Sequence, residues 1–223
     1  MPSTNSIKEY VESGIYHVYN RGVNRQNVFF DKKDYATFLN LLDHYLMPPP
    51  ANEIRQKTAN FHGKINLLTF SLIPNHLHTI LQQVGRCDME GFMRSLMISY
   101  TARINKKYER VGHLFQDSYK ARSLKGNDDL VNTSFYVHYN PKKELGLDPF
   151  EYSYSSIKNY TESTKNGFVF VKENIILDLF ESRESYTEGF KNYIEEMEKR
   201  EESSQKAPSW EPSVQKAPGQ ETS

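Results

Sequence analysis

The chain has 223 residues, a formal net charge of zero at neutral pH and a single cysteine, Cys87. That length holds one well-buried core and a small appendage; one cysteine excludes an internal disulfide and a cysteine-built zinc knuckle, and no apolar run nears the ~18 residues of a membrane span. The opening stretch from Met1 to Asn5 lacks the basic and apolar blocks of a signal peptide, so a cytoplasmic protein is expected.

In chain order, the first regular pattern is Gly14 to Gly22, where Ile15, His17 and Tyr19 alternate with Tyr16, Val18 and Asn20, as in a half-buried strand. Asp31 and Asp34 then offer a cap to an amphipathic helix through Tyr35, Phe38, Leu39, Leu42 and Leu46, stopped by Pro48-Pro49-Pro50. Residues 51–63 read as a polar loop. The run from Ile65 to Leu81 divides at Pro74-Asn75 into two strands, 65–72 and 76–82.

A second helix is expected from Met89 to Tyr108, its apolar stripe being Phe92, Met93, Leu96, Met97, Tyr100 and Ile104. His113 to Leu124 alternates as a fourth strand. Asn127-Asp128-Asp129 suits the cap of a helix carrying Tyr136 and Asn140, which Pro141 is expected to end. The order strand, helix, strand, strand, helix, strand, helix implies an α+β domain of the ferredoxin-like kind, an antiparallel sheet with helices packed on it. Two more helices are expected at 175–180 and 186–197. The core is placed at about 14–157, a helical extension at about 158–200 and a disordered tail at 201–223, where Gln-Lys-Ala-Pro occurs at Gln205 and again at Gln215.

Candidate chemistry centres on Asn75-His76-Leu77-His78. Side chains two apart on a strand share a face, so His76 and His78 can share a metal ion, while Leu77 turns to the core. The same pair also reads as two strand histidines bonded to neighbours. A pair is half a coordination set, so a third ligand and a nucleophile must come from elsewhere. Charge is unevenly spread: bases outnumber acids from Arg94 to Lys143, and the last third is acidic. Net neutrality weighs against an indiscriminate nucleic-acid binder, but a basic stretch interleaved with Tyr100, Tyr108, Phe115 and Tyr119 can hold a backbone by charge and bases by stacking. A solvated helix face over core aromatics accounts for it equally well.

Taken together, Tyr16-His17-Val18-Tyr19-Asn20-Arg21-Gly22, Pro74-Asn75-His76-Leu77-His78, Gly112 to Lys120, Tyr136-Val137-His138-Tyr139-Asn140-Pro141 and Tyr154-Ser155-Ser156 resemble the single-tyrosine HUH transposases, the IS200-like group. They resemble most their relatives that process repetitive extragenic palindromes (REP). The resemblance implies an enzyme that nicks and rejoins single-stranded DNA through a 5′-phosphotyrosine, with hairpin or palindromic DNA as partner. It implies Tyr136 as nucleophile, His76 and His78 as ligands of Mg2+ or Mn2+, and Asn140 where much of the family has a glutamine ligand. Arg94, Arg103, Lys120 and Arg122 are the expected phosphate contacts.

Three alternatives stay open at this level. Tyr139 lies within the same patch of helix surface as Tyr136, and only the resemblance separates them. Asn140, directly before Pro141, also suits a helix cap. A module that binds hairpins without cutting them would keep the same fold. A histidine-nucleophile hydrolase is disfavoured because the third position of a His-x-His-x-His strand is Ile80. The chain is expected to act as a monomer or a homodimer, and its long C-terminal region favours the monomer.

Overall fold

The computed structural model describes residues 10–49, 59–162 and 166–205. Strand β1 (Ile15–Arg21) places Tyr16 and Val18 in one apolar cluster and packs Ile15 against a second, so its alternation separates the two sides of the sheet. Helix α1 (Lys32–Leu46) begins with a capping box. The Asp31 carboxylate accepts the N–H groups of Lys33 and Asp34, and Asp34 accepts that of Asp31. Strands β2 (Ile65–Ile73) and β3 (His76–Gln83) form a hairpin, followed by α2 (Asp88–Lys107), β4 (Lys120–Ser123) and α3 (Gly126–Leu145).

The sheet is antiparallel throughout, in the order β2-β3-β1-β4. α1 and α2 bury Phe38, Leu42, Phe92 and Tyr100 with Val18, Leu77 and Leu81 on one face. α3 buries Val137 with Leu68 and Ile80 on the other. Behind α3 lie two short helices, α4 (Ile157–Thr161) and α5 (Asn174–Leu177), and the long α6 (Arg183–Gln205), which add Tyr160, Ile176, Tyr186 and Phe190 to the second cluster. This is the expected α+β architecture, with helices on an antiparallel sheet. Among the described residues no helix is long and apolar enough to cross a membrane.

The fold departs from the sequence pattern at several places. Only Lys120–Ser123 of the expected fourth strand is regular. The segment before it crosses the end of β1 irregularly: Val23 donates to the Leu114 carbonyl, Gln116 to that of Arg21, and the Asn20 amide to that of Asp117. α3 starts at Gly126 rather than after an Asn127 cap. Asp129 takes the Lys125 N–H instead, at 3.0 Å.

Pro141 does not end α3, which runs four residues further to a left-handed Gly146 at φ 68°. An interior proline forfeits one helical hydrogen bond, at about 3 kcal/mol. Here Pro141 is itself buried, and the turns on either side hold: the Asn140 side chain donates to the Tyr136 carbonyl at 2.8 Å and Gly146 N–H to that of Lys142 at 2.8 Å. Asn140 is therefore an interior helix residue and not a cap. Of the two C-terminal helices expected, the first is the single turn α5. The second is longer than expected and carries residues 201–205, assigned above to a disordered tail, while 206–223 and loop residues 50–58 lie outside the described residues.

Candidate active site

The site forms where β1 and β3 meet the middle of α3. Register sets Tyr19 opposite His78 and Arg21 opposite His76, so all four belong to the side of the sheet that α3 covers. His76 is 3% exposed and His78 7%. The Nδ1 of His76 donates to the Asn75 side-chain oxygen at 2.6 Å, which leaves the lone pair on Nε2. The Nδ1 of His78 lies 2.9 Å from Nε2 of His17, which again leaves Nε2 of His78 outside the contact. Burial pushes His76 down to about 4, with Arg21 and Lys143 adding to the effect and Glu144 opposing it. Burial also holds His78 well below the ordinary range, reinforced by His17, His76, Arg21 and Lys143. Both imidazoles are neutral at pH 7, the form that coordinates a metal.

From α3, Tyr136, Asn140 and Lys143 follow one another at helical spacing on one face. The Tyr136 ring stands edge-on to His78, with centroids 5.5 Å apart at 90°, and edge-on to His17 at 5.9 Å. The Lys143 ammonium lies 5.3 Å from the Tyr136 ring centroid. Asn140 is 1% exposed, and its Oδ1 has no hydrogen-bond partner, although the amide acts on the His76 imidazole. A buried carbonyl oxygen without a donor costs about 1–3 kcal/mol, unless a cation or another group completes it.

Among the described residues no three His, Cys, Asp or Glu groups stand together as a metal cluster. A cation here would instead take two neutral imidazoles and an amide oxygen, and the orphaned Oδ1 beside His76 fits that donor set. The two imidazoles open into a cavity of about 290 Å³ lined by His76, His78 and Tyr136, with Arg21, Lys120 and Lys143 supplying positive charge and Asp117 and Glu144 negative.

The structure thus brings His76, His78, Tyr136, Asn140 and Lys120 together. Tyr139 faces away, 1% exposed, its ring against Tyr193 and its hydroxyl donating to Glu201 at 3.4 Å. His138 also faces away and is held by side-chain hydroxyls of Tyr186 and Ser156. Arg122 lies on the correct face of β4, but its guanidinium is held by Asp129 and Thr133 of α3. Arg94 and Arg103 are exposed on α2, which packs on the other face of the sheet; Arg94 borders an apolar groove with Met97 and Ile98 that shares Asn20, Gln116, Asp117 and Ser118 with the cavity, and Arg103 bonds the Ser99 carbonyl of its own helix. His17, Arg21 and Lys143 were not singled out from the sequence. The alternation of β1 gives His17 and Arg21 the face of Tyr19, but only the pairing of β1 with β3 shows that this face is the histidine face.

The model of the family described as IS200-like transposase matches residues 10–140, and the chain belongs to that family. A solved structure, the REP-associated tyrosine transposase bound to a REP hairpin, is similar in fold. Its TM-score is 0.54 at 12% identity, over 70% of this chain and 84% of that one. No curated protein matches the chain by sequence.

Proposed function

We propose that this transposase nicks and rejoins single-stranded DNA through a tyrosine-linked intermediate, with Tyr136 as nucleophile. One observation carries the reading: within a single chain, Tyr136 stands against His78 in the cavity that both histidines line. In the reaction the Tyr136 oxygen bonds to the scissile phosphorus as the bond to the 3′ oxygen breaks. The phenolic proton leaves to solvent, the 3′ oxygen takes one up, and a 5′-phosphotyrosine remains. The reverse attack by a 3′-OH rejoins DNA without ATP.

His76 Nε2, His78 Nε2 and Asn140 Oδ1 would hold a divalent ion, Mg2+ or Mn2+. When bound, such an ion withdraws charge from a phosphate oxygen and opens the phosphorus to a phenol whose pKa near 10 makes it a weak nucleophile. Arg21, Lys120 and Lys143 bind the phosphates on either side, and Lys143 also steadies negative charge at Tyr136. The REP hairpin in the similar structure supports hairpin DNA as the ligand. Nucleophile and histidines from one chain support a copy that completes its own site, so that a monomer suffices.

The test is incubation with end-labelled single-stranded hairpin DNA and Mn2+, followed by denaturing electrophoresis. A covalent adduct dependent on Mn2+ and Tyr136 is expected. A native mobility shift with no adduct for any hairpin tried would make the protein a binding module.

A further inference from the structure

The His17 imidazole is buried at 7% exposure on β1, one diagonal step from His78 across the β1–β3 ladder. Its Nε2 is 2.9 Å from His78 Nδ1, and the two rings are nearly parallel, with centroids 5.1 Å apart at 18°. Its edge-on contact with Tyr136 links it to the proposed nucleophile as well. The other imidazole lining the cavity, His76, has the matching arrangement: its Nδ1 is occupied by Asn75, whose amide in turn donates to the Arg25 carbonyl at 3.4 Å. Each cavity histidine therefore has one nitrogen occupied by the protein and one turned to the site. Asn75 is the outer partner of His76, and His17 occupies the equivalent place behind His78.

We propose that His17 is a positioning residue that fixes the tautomer and ring plane of His78, so that His78 presents Nε2 to a divalent cation. The proposal rests on the metal-binding reading given above. When His78 coordinates through Nε2, its Nδ1 carries the proton and donates it to His17 Nε2, so His17 must keep its own proton on Nδ1. A backbone carbonyl or carboxylate commonly takes this outer position in metal sites, and losing it typically weakens metal affinity about 10–100-fold. Here a neutral imidazole does so. As an acceptor without charge, it holds the ligand in place while adding no negative charge to a cavity that must receive phosphate.

The experiment compares the full chain with His17→Phe, which keeps a flat buried ring but removes the acceptor, and with His17→Gln, which restores an acceptor. Mn2+ binding is titrated by electron paramagnetic resonance, pulsed methods report coupling to imidazole nitrogen, and melting temperature is recorded in parallel. Expected are a roughly 10–100-fold weaker Mn2+ affinity for His17→Phe at a melting temperature equal to or above that of the wild type, and partial recovery in His17→Gln. If the phenylalanine variant does not fold, His17→Leu takes its place against His17→Gln. Wild-type nitrogen coupling together with unchanged affinity in the apolar variant overturns the role of His17 and leaves the metal site standing. No nitrogen coupling in the wild type overturns both.

Discussion

Buried histidines flank α3 at two places. His138, fully buried, has both ring nitrogens engaged: Nδ1 with the Tyr186 hydroxyl at 2.9 Å and Nε2 with that of Ser156 at 2.8 Å, against the Tyr160 ring. His76 and His78 are nearly as buried but have one nitrogen each engaged, and the other opens to the cavity. Burial lowers the basicity of all three, His138 to about 3. Neither burial nor weak basicity therefore marks a reactive histidine; an unfilled nitrogen beside space for a ligand does. α3 joins the two environments, because residues two apart on a helix lie about 200° apart, and Tyr136 faces the open cluster while His138 locks the helix to the closed one.

The largest expected effect tests the open side. Tyr136→Phe removes only the oxygen proposed to attack, so adduct formation with hairpin DNA should fall by at least about three orders of magnitude while DNA binding changes less than about twofold. Tyr139→Phe, altered in a packed pocket behind the helix, should form adduct normally. Swapped results on the denaturing gel would move the nucleophile to Tyr139.

Next come the histidines themselves. His76→Ala or His78→Ala should lower cleavage about 100-fold or more with little change in hairpin affinity or melting temperature, since each loses a proposed ligand beside an existing cavity. His138→Ala should do the opposite. It removes one hydrogen-bond partner each from the hydroxyls of Ser156 and Tyr186, which keep contacts to Phe70 and Ser134, and leaves a void, at about 2–4 kcal/mol of stability, while the folded fraction still binds Mn2+. Calorimetry and adduct assays on the three variants would break the comparison if His138→Ala lost Mn2+ binding at full helicity.

Much of this contrast was legible in the sequence, for definable reasons. Period-two alternation set the faces of β1 and β3, and the i to i+4 spacing put Tyr136 and Asn140 on one face of α3. The proline rule misled at Pro141 because the burial of α3 against the sheet outweighed the loss of one local bond, and the same error left Asn140 readable as a cap. His17, Arg21 and Lys143 were hidden because their roles depend on register and on helix length beyond Pro141, which no local pattern encodes. The fold divides the basic stretch: Lys120 lines the cavity, Arg122 is bound to Asp129, Arg94 borders a neighbouring groove and Arg103 bonds a carbonyl of its own helix. Tyr154-Ser155-Ser156 proves structural at least in part, as Ser156 accepts the Phe70 N–H at 2.9 Å and Tyr154 stacks on Tyr35 at 3.8 Å.

A smaller effect is expected at Asn140, where helix and cavity meet. Its Nδ2 serves the helix, and its Oδ1, without a hydrogen-bond partner of its own, lies where the amide acts on the His76 imidazole. Asn140→Ala removes both and should raise the Mn2+ concentration for half-maximal cleavage about tenfold, by analogy with the loss of other metal-site groups. Asn140→Asp keeps an oxygen and adds charge, so it should bind Mn2+ at least as tightly. An unshifted Mn2+ titration in the alanine variant would make Asn140 structural.

The smallest effect is a pH dependence that every buried neutral histidine contributes. The folded values of His17 and His76, both about 4, and of His138, about 3, lie below the ordinary 6.5 of an unfolded histidine. The unfolded chain therefore binds more protons at mildly acid pH. The stability these groups contribute is fully present above pH ~6.5 and is lost as pH falls toward the folded values. For each such group the slope approaches, and does not exceed, about 1.4 kcal/mol per pH unit. At His76 the neighbouring charges are Arg21 and Lys143, which favour the neutral ring, and Glu144, which favours the protonated one, so burial decides the sign. Urea unfolding at pH 6.0, 5.5 and 5.0 should show stability falling with pH, and His76→Ala should make that slope shallower by up to one proton's worth. An identical slope in the wild type and the variant would mean that folding leaves the proton affinity of His76 unchanged, and with it the picture of an imidazole held neutral by burial would fail.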